Sequence, residues 1–446
     1  MADISISASS YPLFSSIDAS TKPIVAVKIT PATIVSNAMP RHPFHLTMLL
    51  DVSGSMDGER IDAVRRTLHL LVDAMSENDI LTLITYNHEA KVCADSISIN
   101  QDSRVSLHST IDDLNADGGT NMEAAINKFL TIATNTEKPA IDAVFILTDG
   151  HINAGLSSSA GLLRLLQNQM NQGIQINTLG YGAEHNSHLL RDMALRGHGS
   201  YTFADVAEVL PAIIGDIIAG LKEEVGRQAK LVIPEGWTCL ELQTLNAGAY
   251  CIGTLIAEKP QWVVLEGPPG ATSIPSLECI WLDSKDRSEK SATFSVDTSI
   301  SMLEIMEQRE RCRVANVFAA VTEDIEALRL DDARTKLNQL SRDLSTSLAK
   351  DTPFVIRLQA QVDDMIESLK HTMMPPAVPG GGGLQRSPAG IGLGPLITPV
   401  LSRLASGTVV LGNQRGIMSG SAGVPIFSSP SQQHTSSRLT NAYSGV

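Results

Sequence analysis

The chain is predicted to be α/β: a doubly wound, mostly parallel sheet inserted into a β-sandwich, then a small helical unit and a disordered tail. Three observations predict this. Between residues 44 and 221, continuous apolar runs alternate with amphipathic stretches, as expected of parallel strands buried on both faces and joined by helices. Residues 226–300 switch to short β-patterned runs separated by Pro/Gly turns. From residue 373 onward there is no Asp, Glu or Lys.

In chain order, residues 3–8 and 23–30 have strand character but no place in an α/β sheet. They are expected to complete the sandwich, so that residues 1–41 belong to it and the α/β domain, 42–222, is an insertion. Within that domain, runs at 44–50, 80–86, 143–148 and 174–179 suit buried strands. Residues 91–99 alternate in polarity, as an antiparallel edge strand does, and 200–203 form a short strand. Ile61, Val64, Leu68, Leu71 and Met75 share one helical stripe. Further helices are predicted around 124–133, 162–166 and 209–221. The sandwich runs are 229–233, 238–244, 250–256, 261–265, 276–282 and 291–296, giving a domain over 223–300. Helical patterns return at 302–321, 331–348 and 353–369, the last with Pro353 near its first turn, so that 301–372 reads as a helical hairpin or three-helix unit.

Composition narrows the function classes. Of 446 residues, 43% are apolar and 18% charged, enough for a sizeable core, and the net charge is −14. The tail carries only Arg386, Arg403, Arg415 and Arg438, and holds 13 of the 33 glycines and 8 of the 21 prolines. Such a segment buries too little apolar surface to offset its ordering entropy. Its charge of +4 leaves −18 for residues 1–372, against a nucleic-acid binder or attraction to anionic lipid. No secretory leader or spanning segment is legible at the start or elsewhere. The five cysteines are scattered without a Cys-x-x-Cys pair, which speaks against structural zinc or a disulfide framework. A cytoplasmic location is expected.

The sharpest feature is Asp51-Val52-Ser53-Gly54-Ser55-Met56, between an apolar strand and a helix. In an open α/β sheet the ligand crevice lies at the carboxyl ends of the strands. A tight turn brings the oxygens of Asp51, Ser53 and Ser55 together. Asp149 follows a second apolar strand, and Thr120 follows Gly118-Gly119, where the backbone can approach closely. Two carboxylates with a few hydroxyls suit Mg²⁺, or Mn²⁺, and leave coordination positions open.

In these residues the sequence resembles the von Willebrand factor A domain family, the fold shared with integrin I domains, over about residues 42–222. Its metal-ion-dependent adhesion site has the form Asp-x-Ser-x-Ser, then a Thr, then an Asp. The resemblance implies Ser53, Ser55 and Thr120 as hydroxyl ligands, and Asp51 and Asp149 as direct or water-bridged carboxylates. It also implies binding rather than catalysis: a partner protein supplies a carboxylate to the open metal position. The pattern of Arg309–Leu340 is similar to the intein-associated helical region of a group of intracellular, often fungal, proteins. Neither a splicing domain nor a ubiquitin-ligase module of the kind some of them carry is found.

Rival chemistries lack parts. A haloacid-dehalogenase-like phosphatase needs a second carboxylate two residues after its nucleophilic Asp, and position 53 is Ser. No Gly-x-Ser-x-Gly elbow supports a serine hydrolase, and Gly180-Tyr181-Gly182 lacks the rest of a dinucleotide fingerprint. His151, His185 and His188 follow strand ends and read as exposed loop residues near the metal face. Asp57 and Glu59 read as solvated first-turn acids. The reading is a non-enzymatic, Mg²⁺-dependent protein-binding module. Its alternative is an adaptor of a ubiquitin-pathway or other enzyme assembly, docking through the sandwich or helices.

Overall fold

The computed structural model describes residues 4–11, 22–31, 43–171, 173–182, 185–204, 206–241, 248–273, 276–284, 288–294 and 300–373, with Arg438 and Thr440. Of the tail expected to be disordered, 373–446, Met373 ends a helix and the rest lies outside the described residues apart from those last two.

The α/β domain is built on a six-stranded sheet. Its strands are β3 (His45–Asp51), β4 (Ile80–Tyr86), β5 (Ala90–Ser98), β6 (Ala143–Thr148), β7 (Gln175–Tyr181) and β8 (His198–Ala204), in the order β5-β4-β3-β6-β7-β8. All pairings are parallel except β4–β5. Strand alternation divides the core. Leu46, Met48 and Leu50 of β3 face α1 (Glu59–Ala74), α2 (Gln101–Asp112) and α6 (Leu210–Lys222). Leu49 faces the other side, which is covered by α3 (Met122–Ala133), α4 (Ser159–Asn171) and α5 (Ser187–Arg196). Period-2 alternation thus lets one apolar strand serve two helical layers.

The remaining strands form two four-stranded antiparallel sheets. One has the order β1-β2-β12-β10, from β1 (Ile4–Tyr11), β2 (Ile24–Pro31), β12 (Gln261–Glu266) and β10 (Thr238–Cys239). The other is β11-β9-β13-β14, from β9 (Glu224–Val232), β11 (Ala249–Ile256), β13 (Leu277–Asp283) and β14 (Glu289–Phe294). β2 therefore pairs with β12, more than 200 residues later, from Ile24↔Glu266 to Ile29↔Gln261. Val25, Val27 and Ile29 point inward with Val263 and Leu265, against Ala229, Leu231 and Trp281 of the second sheet. Ile24, Ala26, Trp262 and Val264 point outward and are covered by the helical unit, α7 (Met302–Glu326), α8 (Leu330–Thr346) and α9 (Pro353–Met373).

Two helices, α2 and α5, do not appear in the sequence reading. α2 buries only Leu107 and Ile111 and is set by a capping box between Asn100 and Ser103. α5 is ten residues long. Of the strand expected over 238–244, the described residues show β10 at Thr238–Cys239, with Leu240 and Glu241 outside it; residues 242–247 lie outside the described residues. β9 also ties the sandwich to the inserted domain: Arg227 donates to Asp142 at 2.6 Å, and Asp142 accepts the His45 backbone N–H at 2.8 Å.

Candidate metal centre

β3 lies between β4 and β6, where chain order along the sheet reverses direction. That junction opens a crevice beyond the strand ends. Asp51 ends β3, and Asp149 directly follows β6. Their placement is thus a consequence of topology.

The loop after Asp51 is short and fully tied. Val52 N–H donates to the Tyr86 carbonyl at 2.8 Å, and Met56 N–H to the Ser53 carbonyl at 2.9 Å, closing a single 3₁₀ turn at Gly54–Met56. Ser53 N–H donates to Asp51 Oδ1 at 2.9 Å. Ser53 Oγ and Ser55 Oγ lie 3.1 Å apart, and Ser55 Oγ donates to Asp149 Oδ1 at 2.7 Å. Thr148 Oγ1 donates to Asp51 Oδ2 at 2.6 Å. Ser53 and Ser55 therefore connect the two carboxylates, Ser53 through its amide N–H on one side and its hydroxyl on the other.

Thr120 comes to this face by its backbone. The 117–120 loop is held against the first: Asp117 N–H donates to the Val52 carbonyl at 2.8 Å, and Gly54 N–H to the Gly118 carbonyl at 2.9 Å. Gly118 has φ +71°, and a Cβ there would sit 2.6 Å from His88 Nδ1. A Cβ on Gly119 would come within 2.7 Å of Asn153 Oδ1, which accepts the Thr120 N–H at 2.7 Å. Gly118 is favoured by its left-handed backbone, and Gly119 by its close approach to Asn153. Asp51, Ser53, Thr120 and Asp149 are buried, while Ser55 is exposed.

Electrostatically the site is strained. Burial pushes the Asp51 carboxyl up to about 6; hydrogen bonds from Ser53 and Thr148 hold it back, and the nearby charge of Asp149 adds to the rise. Tyr86 is driven well above its usual range by burial and by both carboxylates, and its hydroxyl donates to the Leu147 carbonyl at 3.2 Å. Two buried carboxylates linked by hydroxyls form a hard, all-oxygen donor set, which fits a hard divalent cation.

Several residues escape sequence reasoning. Arg60, on the first turn of α1, donates to Asp149 Oδ2 at 2.5 Å and to the Ser55 carbonyl at 3.3 Å. Its guanidinium lies 6.0 Å from the centroid of the Tyr181 ring. A cation at a helix N-terminus opposes the helix dipole, and that local conflict was the available signal. Thr148 and Asn153 gave none. Asp57 and Glu59 are exposed. His151 is exposed, but His185 is not: it is 1% exposed, with Nδ1 2.9 Å from the Gly182 carbonyl and Nε2 2.7 Å from Tyr201 Oη. It packs edge-on to Tyr201 and belongs to the core rather than to a ring around the metal face.

This topology is that of an open, doubly wound α/β domain with its crevice at the carboxyl ends of the strands. Residues 45–215 match the family model of the von Willebrand factor type A domain, and the chain contains a domain of that type. It is 27% identical over 192 residues to the Escherichia coli protein YfbK, covering 42% of this chain and 33% of YfbK; the match thus spans about a third of that relative's length. Two solved structures share the wider fold. A von Willebrand factor type A protein from Catenulispora acidiphila superimposes with TM-score 0.59 at 16% identity, covering 84% of this chain and 91% of that one. The ArnB paralog VWA2 from Sulfolobus acidocaldarius gives 0.58 at 15%, covering 93% and 99%. The likeness therefore extends beyond the α/β domain to the sandwich and helices.

Proposed function

We propose that this chain is a non-enzymatic, divalent-cation-dependent protein-binding module. Asp51, Ser53, Ser55, Thr120 and Asp149 would hold Mg²⁺ or Mn²⁺, and the partner would contribute a carboxylate. The observation that carries the reading is the run of hydrogen bonds from Asp51 through Ser53 and Ser55 to Asp149 across the crevice between β3 and β6. Domains of the matched type are in general protein-interaction modules, which supports the same conclusion. When bound, the ion supplies a positive centre with open positions for an oxygen anion. The chain's own residues orient that centre: Ser53 and Thr148 fix Asp51, Asn153 fixes Thr120, and Arg60 lies beside Asp149. No nucleophile–base pair is assigned, and the proposed role is binding in the cytoplasm. We also place residues 301–372 with the intein-associated helical region of intracellular proteins, on the strength of the pattern over residues 309–340.

Calorimetric titration of Mg²⁺ or Mn²⁺ into wild type and Asp51→Ala tests the centre. Saturable heat in the wild type and none in the variant is expected; equal, negligible heats in both would sink the reading. An adaptor role through the helical unit is the second reading. Met302, Leu303, Leu348 and Ile356 favour it, being 43–59% exposed on or beside these helices. A partner set retained in EDTA supports that reading instead. No helix among the described residues is long and apolar enough to cross a membrane.

A further inference from the structure

We propose that His69 and His108 form a second metal site, for a borderline divalent transition ion such as Zn²⁺, which staples α2 to α1. The site is independent of the oxygen centre. His69 lies ten residues beyond the start of α1, roughly 15 Å along the helix from the loop that carries Asp51.

The geometry supplies the argument. His69 Nδ1 and His108 Nδ1 face each other at 2.7 Å. Behind each ring stands a carboxylate: His69 Nε2 is 3.0 Å from Asp112 Oδ1, and His108 Nε2 is 3.1 Å from Asp73 Oδ1. An ionised carboxylate only accepts hydrogen bonds, so each Nε2 carries the hydrogen and each neutral Nδ1 presents its lone pair. Two lone pairs at that separation repel unless a cation lies between them. The cation is either one shared proton or a metal ion.

Two features favour the ion. A carboxylate that accepts from the far ring nitrogen is the usual outer-shell support of a metal-ligating histidine, fixing its tautomer and raising its basicity. Paired imidazole nitrogens also select Zn²⁺, Cu²⁺ or Ni²⁺ over the Mg²⁺ suited to oxygen donors. With Zn–N bonds of about 2.0–2.1 Å in tetrahedral geometry, the nitrogens would stand roughly 3.3 Å apart. Each ring then withdraws by a few tenths of an ångström, and the proton between them leaves to solvent. There is room, because the side chains are 29% and 31% exposed and the rings are already tilted by 31°. Among the described residues no group of three or more His, Cys, Asp or Glu is placed to hold a metal. The site therefore has two protein ligands, with water completing the shell.

The test uses the full chain without a histidine tag, in excess Mg²⁺ so that the oxygen centre is served. Titration with ZnCl₂ is expected to show saturable binding that weakens at least tenfold in His69→Gln and in His108→Gln. Asp73→Asn and Asp112→Asn should each weaken it about tenfold, as loss of outer-shell support does. Zn²⁺ should raise the melting temperature of the wild type but not of either histidine variant. Equal melting temperatures without Zn²⁺ would confirm that these surface variants are folded. As a second measurement, Cu²⁺ electron paramagnetic resonance should show coupling to two nitrogens, falling to one in either histidine variant. Zn²⁺ binding unchanged in His108→Gln overturns the proposal. So does the absence of binding in wild type, which leaves the pair bridged by a proton alone.

Discussion

Arg60 sets the balance of charge at the carboxylate pair. It is 37% exposed on its side chain and bound to Asp149, so it competes with any cation for the same oxygens. Arg60→Ala is expected to tighten Mn²⁺ binding about two- to fivefold, the worth of a partly exposed ion pair, as read by calorimetry; weaker binding would show that Arg60 holds Asp149 in place instead. His185 provides a pH signature. Burial lowers its pKa to about 4, so the fold favours its neutral form. That stability is fully present above about 6.5 and is lost as pH falls toward 4, by up to about 3 kcal/mol. Asp51 acts with the opposite sign: its raised pKa of about 6 relieves the fold as pH drops below 6. Each is worth about 3 kcal/mol, so the two largely cancel in wild type. In His185→Gln the His185 contribution disappears, so hydrogen-exchange protection of β7 and β8 should hold or rise between pH 6.5 and 4. A pH dependence unchanged from that of wild type would refute it. The oxygen-bearing residues Asp51, Ser53, Ser55, Thr120 and Asp149 were legible as a candidate set from type, order and strand position. Arg60, Thr148 and Asn153 were not, since each acts on a residue 33 to 97 positions away.

At the scale of elements, the junction between sandwich and helices combines an apolar cluster with a buried ion pair. Arg311 of α7 is fully buried; its NH1 lies 2.9 Å from Glu241 Oε2 and its Nε 2.8 Å from Gln308 Oε1. Val264 N–H of β12 donates to Glu241 Oε1 at 3.2 Å. Removing one partner strands a buried charge. Arg311→Met should therefore cost about 3–5 kcal/mol, and the double variant with Glu241→Leu should recover most of it. The three tryptophans, Trp237, Trp262 and Trp281, all belong to the sandwich and its surface toward α7. Denaturation followed by fluorescence therefore reports on this junction; an unchanged midpoint in Arg311→Met would contradict the assignment. Long apolar runs and the stripe of α1 declared their elements plainly. α2, with two buried apolar residues, did not, because its position depends on caps and on α1 beside it.

At the scale of the molecule, charge and site oppose each other. Residues 1–372 carry −18, which repels an acidic partner at long range, while the proposed ion requires a carboxylate at contact. The partner is expected to be basic or mixed in charge around one exposed acid. Metal-dependent capture should then weaken as salt shortens the Debye length from about 10 Å. Salt-insensitive capture would count against it. The sequence by itself determined the α/β alternation, the antiparallel edge strand, the strand-like character of both termini of the sandwich and the residue types of the oxygen centre. These follow from periodicity and local turn chemistry, which need only neighbouring residues. Tertiary structure alone decided that β2 pairs with β12, that Arg60 meets Asp149, that His185 is core, and that His69 meets His108. Each joins residues far apart in the chain, and no local pattern encodes which faces of two elements will close on each other.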